Sequence, residues 1–197
     1  MTTPQEPAPL ADGAVTPASE APTRLVGLPP VVSDRTVVLV LGSFPGAASL
    51  KAQQYYGHPQ NHFWRILQSL WPQHPLPPAG PQHYAQRCAW LLERRLGLWD
   101  VYASCEREGS LDTSMRHAVG NDFAQLLREC PGLRAIAHNG GESFKHSAAV
   151  RQQWAGAYPG AQVQSVRLPS TSPANASWSF ERKQTAWAEL MAAHGLL

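Results

Sequence analysis

Gly42-Ser43-Phe44-Pro45-Gly46 and, a few residues later, Gln54-Tyr55-Tyr56-Gly57-His58-Pro59-Gln60-Asn61-His62-Phe63-Trp64 combine residue types that core packing does not call for. Two glycines and a proline let the backbone turn sharply and expose its N–H groups. Tyr55 and Tyr56 can stack, while His58 and Asn61 can donate or accept hydrogen bonds. The mixture suits a pocket that holds a flat polar ring beside a phosphate. It has neither the Gly-Lys-Ser/Thr of a phosphate-binding P-loop nor the glycine spacing of a dinucleotide fingerprint. Each residue also has a plainer reading. The Gly42–Gly46 run is a possible strand-to-loop turn, Asn61 a helix N-cap, His58 an exposed loop residue, and the tyrosines a cover for the core.

Two further stretches carry chemistry. Asn139 stands between an apolar run and Gly140-Gly141, where a carboxamide serves a tight turn or reads a base edge with donor and acceptor together. Ser170-Thr171-Ser172, set between Pro169 and Pro173, offers hydroxyls and N–H groups able to clamp a phosphodiester, or simply forms a rigid turn before the next helix. Cys105-Glu106-Arg107-Glu108-Gly109-Ser110 reads as a surface loop whose charges are solvated.

The elements that must position these residues follow from periodicity. Thr36–Leu41, Leu98–Val101, Ala135–His138 and Val163–Leu168 carry strand patterns. Helical stripes are Phe63-Ile66-Leu67-Leu70, Tyr84-Cys88-Leu91-Leu92, Phe123-Leu126-Leu127 and Trp187-Leu190-Met191, with a weaker helix over Glu142–Trp154. A proline cluster from Pro72 to Pro81 separates the first two helices, and Ser104–Asn121 is turn-rich. Alternating strands and helices predict an α/β fold, a three-layer α/β/α sandwich on a mainly parallel four-stranded sheet. In open parallel sheets ligands bind beyond the carboxyl ends of the strands. The Gly42, Asn139 and Ser170 loops all follow strands, so they are expected to share one site.

The chain has 197 residues, a formal net charge of +2 and a pI near 8.5. Charged residues make up only 15%, below the roughly 25% of an average domain, so binding through a large basic patch is not expected. Three scattered cysteines, Cys88, Cys105 and Cys130, form no zinc or iron–sulfur pattern and point to a reducing cytosol. No apolar run is long enough to span a membrane. Residues 1–24, rich in Pro and Ala, lack the layout of a signal peptide and read as a disordered tail before one domain over 25–197.

Taken in order, the blocks resemble the uracil-DNA glycosylase superfamily. Gly42-Ser-Phe-Pro-Gly46, Gln54-Tyr-Tyr-Gly-His-Pro-Gln-Asn-His-Phe-Trp64, Leu98-Trp99-Asp100-Val101 with Cys105–Ser110, and Leu168-Pro-Ser-Thr-Ser-Pro-Ala174 look like its hypoxanthine-DNA (deoxyinosine) glycosylase branch. The resemblance runs from about Val37 to the C-terminal helix. It implies an enzyme that flips a deaminated nucleotide out of the duplex and hydrolyses its N-glycosidic bond. Asn61 would be the main catalytic polar residue, with Ser43 and His58 as further catalytic candidates. Gly42, Phe44, Pro45, Gly46, Tyr56 and Asn139 would bind the base, Tyr56 by stacking and Asn139 at the Watson–Crick edge. Ser170, Thr171 and Ser172 would pinch the DNA backbone, while Pro173 and Ala174 approach the gap left by the flipped base.

Many relatives place Asp or Asn inside the first loop to activate water, whereas this chain carries Ser43 and Phe44 there. The resemblance therefore implies hypoxanthine rather than uracil as the favoured base. It further implies a monofunctional enzyme without lyase activity, needing no cofactor and no metal, and working as a monomer on DNA in the bacterial cytosol. A uracil- or mismatch-specific glycosylase of the same fold and a non-catalytic DNA- or nucleotide-binding module are the alternatives.

Overall fold

The computed structural model describes residues 24–160 and 162–197. The expected disordered tail lies outside the described residues except for Arg24. In chain order the elements are β1 (Arg24–Val26), β2 (Val38–Gly42), α1 (Ala47–Ala52), α2 (Phe63–Leu70), α3 (Tyr84–Glu93), β3 (Leu96–Asp100) and β4 (Tyr102–Glu106). There follow β5 (Arg116–Gly120), α4 (Phe123–Arg128), β6 (Ala135–Asn139), α5 (Gly141–Phe144), α6 (Ser147–Ala157), β7 (Gln164–Leu168) and α7 (Phe180–Ala193).

The central sheet has four strands in the order β3-β2-β6-β7, every pair parallel. Such strands are covered on both faces, which explains the unbroken apolar run Val37–Leu41. Val38, Val40, Leu96, Leu98, Ala135, Ala137 and Leu168 meet α2, α3 and α7 on one face. Leu39, Leu41 and Ile136 pack with α4 and α6 on the other. The α/β/α sandwich expected from periodicity is therefore the fold observed.

One consequence of this alternation places the site. Stepping two residues beyond Leu98, Val40, Ala137 and Val166 keeps to the same face at the carboxyl ends. The row there reads Asp100, Gly42, Asn139, Leu168 across adjacent strands, with Gly42 paired to Asp100 and Asn139 to Leu168.

The stretch Ser104–Asn121, expected to be turns, instead contributes β4 and β5. With β1 they form a second, antiparallel sheet in the order β1-β4-β5. Every residue of β5 is exposed, so no hydrophobic alternation marks it, and its ladder with β4 is irregular. Backbone pairing rather than side-chain burial makes this strand. The region expected as one weak helix over Glu142–Trp154 divides into α5 and α6.

Candidate active site

Gly42 closes β2 beside Asp100, and its lack of a side chain is structurally required. A Cβ built on Gly42 would lie 2.2 Å from Asp100 Oδ1 and 3.8 Å from the Tyr56 hydroxyl. The Asp100 carboxyl thus leans across the glycine into the notch between β3 and β6. It is only 4% exposed, and its Oδ2 has no hydrogen-bond partner. Burial pushes its pKa up to about 7; Asp112 adds to the rise and Arg107 opposes it.

Across the notch, Asn139 is held with fixed polarity. Its Oδ1 accepts the Thr171 N–H at 2.9 Å, which identifies that atom as the carbonyl oxygen. Its Nδ2 donates to Thr171 Oγ1 at 2.9 Å and to the Tyr56 hydroxyl at 3.1 Å. Both amide hydrogens are engaged, while Oδ1 keeps a second lone pair. The loop after β6 turns at Gly140, whose φ of +110° favours glycine, and a Cβ there would come within 3.1 Å of Ser170 Cβ.

Tyr56 has φ +53°, a left-handed conformation costly for a bulky residue. Its ring stacks on Phe63 with centroids 3.9 Å apart, and its hydroxyl meets Asn139, so packing and hydrogen bonding together hold the strained backbone. Burial, with Asp100 adding to it, raises the Tyr56 hydroxyl above the usual tyrosine range, so it stays protonated at neutral pH. Tyr55 turns away into the core and donates to the Leu28 carbonyl at 3.2 Å.

The Gly42–Gly46 loop is braced from the segment after β4. Ser43 Oγ donates to Asp112 Oδ1 at 2.7 Å, Ser110 Oγ accepts the Ala47 N–H at 2.8 Å, and Arg107 Nη2 donates to the Pro45 carbonyl. Arg107 also lies over the Phe44 ring, 5.1 Å from its centroid. This corrects the reading of Cys105–Ser110 as a loop of solvated charges: Arg107 is buried because it ties two loops together. Phe44 and Pro45 are buried as well, and no residue of the loop carries a carboxylate.

Asn61 is not the N-cap its position suggests, because His62 holds that place and no side chain caps α2. Asn61 Oδ1 instead accepts the Phe63 N–H at 3.0 Å, closing a turn just before the helix. The loop is pinned to the Thr171 turn, because the His62 N–H donates to the Thr171 carbonyl at 3.0 Å. Through Thr171 the segments carrying Tyr56, Asn61 and Asn139 therefore converge. His58 stands apart from this network: it is exposed, and its Nδ1 accepts the Gln60 N–H at 3.2 Å.

Thr171, expected at the DNA backbone, is fully buried, since its hydroxyl and N–H turn inward to Asn139. Ser170 Oγ instead accepts the Ser172 N–H and Ser172 Oγ the Ala174 N–H, each at 3.2 Å, shaping a turn that leaves Pro173 and Ala174 exposed. Beside this turn runs a surface cleft of about 450 Å³ lined by Gln60, His62, Arg65, Pro173, Asn175 and Lys183. Lys183 is buried with its Nζ 3.4 Å from the Ser172 carbonyl, and burial lowers its pKa. Burial, with Lys183 and Arg65 nearby, lowers that of His62 too.

Asp100, Arg107 and Lys183 are the site residues that motif reasoning passed over. Asp100 and Lys183 share a readable signal, a charged residue at an apolar position of a strand or helix. Among the described residues no three His, Cys, Asp or Glu side chains gather as a metal site, and no helix is long and apolar enough to cross a membrane.

Comparison with known proteins agrees with the fold. The family model for the uracil DNA glycosylase superfamily matches residues 29–191. A hypoxanthine DNA glycosylase of Methanosarcina barkeri is 35% identical over 83% of this chain and 95% of its own length. One from Methanosarcina acetivorans is 34% identical over 80% and 92%, respectively. A solution NMR structure of a provisionally assigned uracil DNA glycosylase from M. acetivorans superposes with a TM-score of 0.66 at 31% identity, covering 85% of this chain and 99% of that one.

Proposed function

Because the chain belongs to the uracil DNA glycosylase superfamily, we propose that it is a DNA repair enzyme that excises hypoxanthine by hydrolysing the N-glycosidic bond of deoxyinosine. The observation that carries this reading is the polarity of Asn139. Its Oδ1 is oriented by the Thr171 N–H and retains one acceptor position. Hypoxanthine has a donor N1–H at its Watson–Crick edge where adenine has an acceptor, so this oxygen accepts from the deaminated base and repels the normal one. Leaving a buried polar group unpaired is the costly mismatch that makes such discrimination strong. The two Methanosarcina relatives support the choice of base.

In this reading the flipped ring stacks on Tyr56, on the side away from Phe63. Asn61, whose Oδ1 is engaged by the Phe63 N–H, uses its amide nitrogen to orient water at the sugar. The Gly42–Gly46 loop carries Ser43 and Phe44 and no carboxylate to activate water, which disfavours uracil excision that depends on a strong water-activating group. Ser170, Ser172 and the Arg65–Lys183 cleft take the DNA backbone, and Pro173 and Ala174 face the gap. All of these groups come from one chain, so a monomer suffices.

A panel of duplexes, each with one lesion, treated with alkali after incubation, tests the proposal. Cleavage at deoxyinosine well above that at deoxyuridine is expected. Cleavage at deoxyuridine alone, or binding without cleavage, would refute it.

A further inference from the structure

Leu111 is a large apolar side chain that the fold turns outward: it is 60% exposed, while Phe44 of the neighbouring loop is buried. The other exposed large apolar residues among those described lie elsewhere. Val26 and Val119 flank Ser104 on the second sheet, and Leu197 follows α7. An isolated surface leucine needs no explanation by itself. The way this one is held does.

Both sequence neighbours of Leu111 are fastened to the Gly42–Gly46 loop and the residue after it. Ser110 Oγ accepts the Ala47 N–H at 2.8 Å, and Ser43 Oγ donates to Asp112 Oδ1 at 2.7 Å. The Leu111 carbonyl accepts the Ser114 hydroxyl at 2.8 Å and the Ser114 N–H at 3.1 Å. Asp112 also lies close enough to Glu142 and Lys145, just past Asn139, for their charges to act on it. Leu111 therefore stands on a braced ridge at the β2 side of the site, with the Thr171 turn on the β7 side.

Resting on the reading of the site given above, we infer that Leu111 is the wedge that enters the base stack beside the flipped deoxyinosine and keeps the duplex open. A flipped nucleotide leaves unstacked neighbours, and an apolar side chain between them replaces the lost contacts. At the opposite rim Pro173 and Ala174 are exposed but short. One carries a ring closed on its own backbone and the other a methyl group. Leu111 is long enough to project past its backbone into the stack.

The charges around Leu111 separate this task from phosphate binding. Glu106, Glu108 and Asp112 surround it in sequence, and the sole cation between Glu106 and Ser114, Arg107, is buried and directed to the Pro45 carbonyl. Phosphates are disfavoured at such a rim and fall to Arg65 and Lys183 in the cleft at the other. The bases carry no such charge, so an apolar tip here meets the stack rather than the backbone.

Single-turnover excision by wild type and Leu111→Ala, at saturating protein, on deoxyinosine in a duplex and in the same strand alone tests this. A lone strand has no paired stack to hold open. The variant should lose roughly 30-fold on the duplex and nothing on the single strand, and Leu111→Met should restore most of the duplex rate. Because Leu111 is exposed, these variants keep the fold. A fluorescent aminopurine placed next to the lesion should brighten when wild type binds and stay dim with Leu111→Ala. Equal losses on both substrates, an unchanged duplex rate, or the same brightening with both proteins would overturn the inference. Failure of wild type to release hypoxanthine from either substrate would instead refute the proposed function itself.

Discussion

The proposed function gives Asn61 a catalytic role beside its structural one, and one substitution separates the two. Asn61 Oδ1 closes the turn that leads into α2 by accepting the Phe63 N–H, an interaction worth about 1 kcal/mol. Asn61→Ala should cost that much stability, seen by urea denaturation, while slowing single-turnover excision by about 100-fold. A variant that loses stability but keeps its rate would leave only the structural role. At Tyr56 the expected order is different. Tyr56→Phe keeps the stack on Phe63 and loses the bond to Asn139, so a modest loss of rate is expected. Tyr56→Ala removes both and should abolish excision, with gel-shift affinity for undamaged DNA unchanged.

At the scale of elements, the site depends on the Thr171 turn and on α7. Lys183 of α7 stays buried beneath that turn and supplies positive charge to the cleft shared with Arg65. Lys183→Met keeps the buried stem and removes the charge. It should weaken binding of all DNA sequences alike and reduce the slope of log K against log salt by about 1. An unchanged salt slope would show that the phosphates lie elsewhere. Legibility in sequence also divides by element. The strands β2, β6 and β7 and the helices α2, α4 and α7 announce themselves by apolar period, and the loops after β2, β6 and β7 by Gly, Pro, Asn and Ser. The strands β4 and β5 did not, because β5 is exposed throughout and β4 is mostly half-buried, so neither shows a core-facing pattern. Thr171 was legible as part of a polar turn, but its inward orientation was not. That depends on Asn139, 32 residues away. Asp100 was visible as a lone carboxylate in Leu98-Trp99-Asp100-Val101, yet only the parallel register sets it beside Gly42.

For the whole molecule, two buried groups give stability opposite dependences on pH. Asp100, raised to about 7, holds a proton that the unfolded chain has released, so its contribution falls as pH rises from the ordinary carboxylate range to about 7. His138, fully buried on the opposite face of the sheet and lowered to about 4, stays neutral where the unfolded chain is protonated. Its contribution is therefore lost as pH falls from about 6.5 to about 4. The two largely offset each other in the wild type. The stability of Asp100→Asn relative to wild type should therefore climb between about pH 4 and about pH 7, by at most about 1.4 kcal/mol per unit. Denaturant midpoints that move in parallel across this range would show that Asp100 titrates normally. The central claim, excision of hypoxanthine, is tested most directly by mass spectrometry of the free base released from a duplex with one deoxyinosine. One free hypoxanthine for each abasic site formed is the predicted result. A protein that binds the duplex and releases no base, or that releases only uracil from a matched deoxyuridine duplex, would contradict it.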